Sequence, residues 1–238
     1  VLRRALSKGW GFDFNYTFSK SLDIASGGTG ESASIQDAFN PKASRSYSTF
    51  DARHQITANG IAELPFGRGK ALWGSATGWL DQVVGGWQVS VLGRFRTGQP
   101  VNVSTGGVYP TNYLSSSLAI LKPGATLPEA EFAFNENGNP SLYPLSSVNS
   151  FYGQFPGTTG SRGILRGPKS TNVDLSLGKT FRMPKEGHTL QFRAEAFNAF
   201  NLVNFTSPSL TVSSPTTFGQ LSGTSDPRVI QLALRYEF

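Results

Sequence analysis

Residues 9–21 read GWGFDFNYTFSKS, and this stretch decides the class of structure. A ring stands at every second position, Trp10, Phe12, Phe14, Tyr16 and Phe18, while Gly11, Asp13, Asn15, Thr17 and Ser19 fill the places between. The side-chain period of a strand is two, so the rings share one face and the other face is polar or small. The same design recurs along the chain. Its apolar members are Ile56 to Leu64, then Trp87, Val89, Val91 and Phe95, then Val173, Leu175, Leu177 and Phe181. Leu190, Phe192, Ala194 and Ala196 follow, and Ile230, Leu232, Leu234, Tyr236 and Phe238 end the series. Val1 to Leu6 is expected to be the tail of a further strand that enters the tight turn Ser7-Lys8-Gly9.

The links between these strands alternate in length. Short ones, Ser7 to Gly9 and 184–188, share one end with the medium segment 66–86, whereas Gly, Ser and Pro-rich loops near 21–49, 98–168 and 201–227 share the other. Outer-membrane barrels are built in this way, with short periplasmic turns, long external loops and an apolar outer band. Alternation alone also suits a soluble, carbohydrate-binding β-sandwich or a small barrel whose apolar face points inward. The charges on the polar face favour the membrane reading. Arg94, Arg96, Asp174, Arg193, Glu195 and Arg235 line up there with Asp13, Glu63 and Glu237, a set suited to a wet or plugged lumen. The expected fold is therefore all-β, an antiparallel up-and-down transmembrane barrel segment, with Trp10, Phe12, Phe14, Tyr16, Phe18 and Trp87 facing lipid.

Composition narrows the function classes. Cysteine is absent, which removes disulfides and thiolate chemistry. No apolar run approaches the ~18 residues of a spanning helix. The net charge of +6 is spread over short turns, with no basic block, zinc-finger spacing or basic helix, so nucleic acid is not an expected partner. His54 follows Asp51 in DARH near the external mouth, but no nucleophile with its base stands nearby, and His54 reads as a polar residue at a strand start. No catalytic residue, metal site or cofactor is expected. The Gly-rich runs at 27–32 and 67–70 lack P-loop spacing and read as loop chemistry. WLDQVV, Trp79–Val84, places Trp79, Leu80, Val83 and Val84 for one amphipathic helical turn at the periplasmic interface, with plain turn packing as the other reading. Ligand contacts are expected from the aromatic loop rings Tyr109, Tyr113, Tyr143, Phe151 and Tyr152, a mixture with Asn and Ser suited to sugars or peptides, although such rings also pack loops against themselves.

Two likenesses add to this reading. QLALRYEF, Gln231 to Phe238, resembles the assembly signal of outer-membrane barrels, with polar Gln231, small Ala233 where Gly is commoner, and aromatic Tyr236 and Phe238. The resemblance implies that the barrel-assembly machinery reads this strand. The wider chain resembles the carboxy-terminal part of Oar-like TonB-dependent receptors, whose full-length members carry a carboxypeptidase-regulatory-like domain. The matching segments are NYTFSKSLD, DARHQITANGIAELPFGRGK, GGWQVSVLGRFRTGQP, RGPKSTNVDLSLGKTFRM, LQFRAEAFNAFNLVNF and FGQLSGTSDPRVIQLALRYEF, in fixed order over most of the 238 residues. That resemblance implies a 22-stranded plugged barrel in the bacterial outer membrane, driven by the TonB complex and binding an unknown small molecule, sugar or peptide. The whole chain, 1–238, is then expected to be a carboxy-terminal piece of one barrel domain, without plug and earlier strands. Alone it is expected neither to insert stably nor to transport, because open strand edges are costly in hydrocarbon.

Overall fold

In the computed structural model, which describes residues 1–26, 39–107, 118–153, 158, 160–183, 185 and 187–238, the alternating stretches all become strands. They are β1 (Leu2–Ser7), β2 (Trp10–Phe18), β3 (His54–Glu63), β4 (Trp87–Arg96), β5 (Ser170–Arg182), β6 (Thr189–Phe197) and β7 (Val229–Glu237). Each pairs antiparallel with its neighbours in chain order, giving one seven-stranded meander. Among the described residues β1 and β7 do not pair with each other, so the sheet is open.

Local chemistry explains the hairpin between β1 and β2. Lys8 and Gly9 have φ of 54° and 83°, and Ser7 pairs with Trp10. Two successive positive φ values give the turn type whose twist matches the strands it joins, which Gly9 permits at no steric cost. At the other end, the stems leaving β4 and entering β5 cross closely. A Cβ on Gly98 would stand 1.8 Å from the Gly167 carbonyl oxygen, so only glycine fits there.

Register carries the alternation across the whole sheet. One row on the polar face runs Arg3, Asp13, Asn59, Leu92, Asp174, and the adjacent row on the opposite face runs Leu2, Phe14, Ala58, Gly93, Val173. On β2 the ring face is the more open one: Trp10, Phe14, Tyr16 and Phe18 are 38–63% exposed, while Gly11 and Asp13 are buried. A sandwich would show the reverse, with rings packed on a second sheet. The soluble sandwich is thereby set aside.

Two cations interrupt the ring face, and both reach toward the short-turn end. The Arg4 guanidinium lies 3.8 Å above the Trp10 ring and donates to the Ser7 carbonyl at 3.4 Å. Lys179 fills the gap between Leu177 and Phe181. Its Nζ sits 4.8 Å from both the Trp87 and Phe181 rings and donates to the Gly85 carbonyl. Long cationic side chains behave in this way on an apolar surface, burying the stem and bringing the charge to its edge. WLDQVV forms a helix, α1 (Trp79–Val84), at this same end, with Trp79, Leu80 and Val83 exposed. The Trp87 indole donates to the Val83 carbonyl at 3.0 Å, locking α1 to the start of β4.

The hydrophobic core lies outside the sheet, in the long loops. Val103, Ala119, Leu142, Tyr143, Phe151, Leu165, Leu210, Phe218 and Leu221 form one buried cluster drawn from the β4–β5 and β6–β7 connections. Two-residue strand pairs stitch these loops: Pro100–Val101 with Leu165–Arg166, Ile120–Leu121 with Phe151–Tyr152, and Ala133–Phe134 with Pro140–Ser141. Leu22–Asp23 pairs with Ser46–Tyr47 in the β2–β3 connection. The long loops thus fold into a cap with its own centre.

Candidate functional site

The polar face and the cap are the two surfaces able to meet a solute. Six strands present the polar face to a cavity of about 940 Å³, whose lining includes Arg3, Asp13, Asn59, Arg94, Asp174 and Glu195. Ion pairs run along this face, within the cavity and beyond it. Arg3 meets Asp13 at 2.5 Å, Arg94 meets Asp174 at 3.0 Å, Arg193 meets Glu195 at 3.5 Å and Arg235 meets Glu237 at 2.8 Å. Amides complete the two least exposed of these carboxylates, Asp13 and Asp174. Asn15 donates to Asp13, Asn172 donates to Asp174 at 2.7 Å, and the Asn198 backbone N–H reaches Asp174 at 2.9 Å. Arg96 stands in the same series, between Gln55 and Ser170 in register. The wall is therefore polar and locally near neutral, with guanidinium groups more exposed than the carboxylates they pair with.

Two arginines tie the cap together. The Arg166 guanidinium pairs with the fully buried Asp51 carboxylate at 2.7 Å and lies 4.6 Å above the Tyr47 ring. Its backbone brackets a phenol: Tyr143 Oη donates to the Arg166 carbonyl at 2.6 Å and accepts from the Arg166 N–H at 3.0 Å. Burial raises the Tyr143 hydroxyl above its ordinary value, opposed by that backbone contact and by the Arg166 charge. Arg162 is buried and donates to Asp23 at 3.1 Å, Ser26 at 2.9 Å and the Ser44 carbonyl at 3.2 Å. Burial alone would raise the Asp23 carboxyl; hydrogen bonds from Ser26, Ser48 and Arg162, with the Arg162 charge, outweigh it and hold the group below its ordinary range. The β2–β3 and β4–β5 connections are joined by these contacts.

The expected loop contacts require a correction. Tyr143 and Phe151 are 1% and 2% exposed and form part of the cap core, because the loops gain more from burying these rings than from displaying them. Tyr152 is half-buried beside Ile120. Tyr109 and Tyr113 lie outside the described residues. Exposed rings on the long loops include Phe132 and Phe134, packed edge to face at 5.8 Å, and also Phe39, Phe50 and Phe200.

His54 and Asp51 are engaged separately. His54 Nδ1 lies 2.9 Å from Tyr16 Oη, while Asp51 holds Arg166 and the Ser21 N–H. At the opposite end, His188 Nδ1 meets Tyr236 Oη at 2.5 Å and its ring stacks on Phe238. Gln231 and Ala233 of β7 face Glu195 and Arg193 in register, while Tyr236 opposes Leu190 on the ring face. Among the described residues no three His, Asp or Glu side chains converge as metal ligands, and no helix is long and apolar enough to cross a membrane.

Sequence reasoning missed the Asp51–Arg166 and Asp23–Arg162 pairs. Their partners stand 115 and 139 residues apart, and nothing periodic links them. The nearest signal is SRGILRG at 161–167, two arginines set among glycines.

A family model described as outer membrane beta barrel domain matches residues 1–231. No curated protein and no solved structure is detectably similar to the chain.

Proposed function

Because the chain belongs to the outer membrane beta barrel domain family, and is thus a transmembrane barrel segment of the outer membrane, we propose that it forms part of a gated, TonB-dependent transporter. The observation that carries this reading is the wall of paired charges beneath a folded cap. Solute first meets the exposed face of the cap and then passes along Arg94, Arg96, Asp174, Arg193, Glu195 and Arg235. A wall already neutralised in pairs leaves guanidinium edges free to exchange partners with a plug or a passing anion, at a modest cost per exposed pair. The Oar-like resemblance supports the same reading and adds a plug and the TonB complex as partners.

In this reading Trp10, Phe12, Phe14, Tyr16, Phe18 and Trp87 contact lipid. Arg4 and Lys179 bring their charges to the periplasmic edge of that band, and α1 rests at the same interface. The barrel-assembly machinery engages β7 through Gln231, Ala233, Tyr236 and Phe238. His188, packed against the last two rings, holds them at the short-turn end.

The test is electrical and needs no knowledge of the solute. The intact outer-membrane protein carrying this segment is inserted into a planar bilayer bathed in potassium chloride. A plugged, gated transporter passes no steady current until urea loosens the plug. Steady current on insertion refutes gating and identifies a passive pore.

A further inference from the structure

A second cavity lies on the other side of the sheet. It measures about 910 Å³ and is bounded by the outer ends of β3 and β4, by the stem that enters β5 and by the cap. His54, Phe95 and Lys169 place it on the ring face. His54 is opposite Phe18, stacks on Tyr16 and packs at a tilt against Phe18, Phe95 pairs with Ile56, and Lys169, just before β5, has the parity of Thr171 and Val173. The cavity therefore opens toward the surface the rings cover and away from the paired-charge wall. It also stands clear of the open sheet edges, so its shape does not depend on strands beyond β1 or β7.

Its height follows from strand geometry. Trp10 to Phe18 spans about 26 Å along β2, or about 20 Å across the bilayer at a tilt near 40°, against an apolar band roughly 25 Å tall. Phe18 and His54 thus mark the external edge of that band, and the cavity beside them lies at headgroup level.

The lining is amphipathic in the same sense. Phe95, Leu142, Phe205 and Leu221 form its floor with Phe132, whose ring stacks on Phe205 at 5.4 Å. Cations stand at the wall: Arg166 is neutralised by Asp51, whereas among the described residues Arg53 and Lys169 pair with no carboxylate. Arg53 is held in place by the Tyr47 hydroxyl at 3.1 Å. Among the described residues Glu131 is the one acidic residue in the lining, against Arg53, Arg166 and Lys169, which leaves the wall net positive. An apolar chamber with unmatched cations, opening at headgroup depth, fits an amphiphile whose anionic group is followed by hydrocarbon.

We propose that this cavity binds a phosphorylated, acylated lipid of the outer leaflet. Its phosphate is held by Arg53 and Lys169, and an acyl segment lies on Phe95, Phe132 and Phe205. The bound lipid would brace the cap against the barrel wall, since Phe132 and Phe205 belong to loops and Phe95 to β4.

The experiment uses the intact outer-membrane protein in detergent, titrated with dioctanoyl phosphatidic acid and followed by native mass spectrometry. Dioctanoylglycerol and inorganic phosphate serve as the two half-ligands. Phosphatidic acid is expected to bind more tightly than either. The double substitution Arg53→Gln, Lys169→Gln is expected to weaken it by about tenfold or more, as for loss of charge-assisted contacts. Phe132→Ala, at an exposed ring, tests the apolar half independently and is expected to weaken phosphatidic acid while leaving inorganic phosphate unchanged. Equal binding of the diglyceride, equal binding of inorganic phosphate, or undiminished binding of phosphatidic acid by the double variant overturns the proposal. Heat-resistant electrophoretic mobility of each variant verifies that the barrel is folded.

Discussion

Replacing Asp51 by alanine should release the cap while leaving the sheet in place. The Asp51 side chain is fully buried, pairs with Arg166 at 2.7 Å and accepts the Ser21 N–H at 2.7 Å. Removing one member of a buried pair costs about 3–5 kcal/mol, because the partner is left charged without compensation. Arg166 is 29% exposed and keeps its contacts with Tyr47 and the Gly98 carbonyl, so it can turn partly to water. That places the loss near the low end, about 3 kcal/mol, or roughly a hundredfold rise in the population of the opened cap. Hydrogen exchange read by mass spectrometry on the protein in detergent measures it directly. Peptides containing Tyr143, Phe151 and Phe218 should exchange roughly a hundredfold faster, whereas β2 to β6 should not change. Wild-type exchange in those cap peptides would refute the reasoning, since it would mean that the pair fastens nothing. Equal acceleration in the strands would refute it too, by showing cap and sheet to be one cooperative unit.

Tyr143→Phe should cost about 1–2 kcal/mol and speed exchange in the same peptides, because the phenol both donates to and accepts from the Arg166 backbone and its loss leaves buried groups unpaired. A pH series tests Asp23. Its folded carboxyl is held below the ordinary 3.8, so the stability it contributes is fully present above that value and is lost as pH falls through the lowered one. Proteolysis of the β2–β3 connection by an acid-stable protease should therefore accelerate as pH falls below the ordinary 3.8, and Asp23→Asn should flatten the dependence.

The sheet was readable because one physical rule, a period of two with one face apolar, acts over every strand at once. The Lys8-Gly9 turn was equally local. Lys179 interrupts the apolar series without ending β5, since a long side chain can rest on Trp87 and Phe181 and still deliver its charge to a backbone carbonyl. The cap followed no such rule. Phe151 meets Phe218 at 6.0 Å across 67 residues of chain, and the loops that carry them are rich in Gly, Ser and Pro with no repeating pattern. Tyr143 and Phe151 were thus visible as rings that either meet a ligand or pack the loop, and the choice between the two was not legible, because burial there is decided by partners distant in sequence. The paired charges on the polar face lie between these cases: two of them, Arg193 with Glu195 and Arg235 with Glu237, are two residues apart on one strand, whereas Arg94 with Asp174 needed the register of β4 and β5.

The account stands on the rings of β2 facing hydrocarbon while the residues between them face water. Residues 1–238 contain no cysteine, so single cysteines placed in turn at positions 11–18, with any cysteine elsewhere in the protein replaced, can each carry a nitroxide. The decisive measurement is the relative accessibility of those labels to oxygen and to a water-soluble nickel complex, on the intact protein in lipid vesicles. Oxygen should dominate at 12, 14, 16 and 18 and the nickel complex at 11, 13, 15 and 17, in strict alternation. Nickel access at the ring positions, or the same ratio at all eight, would contradict it.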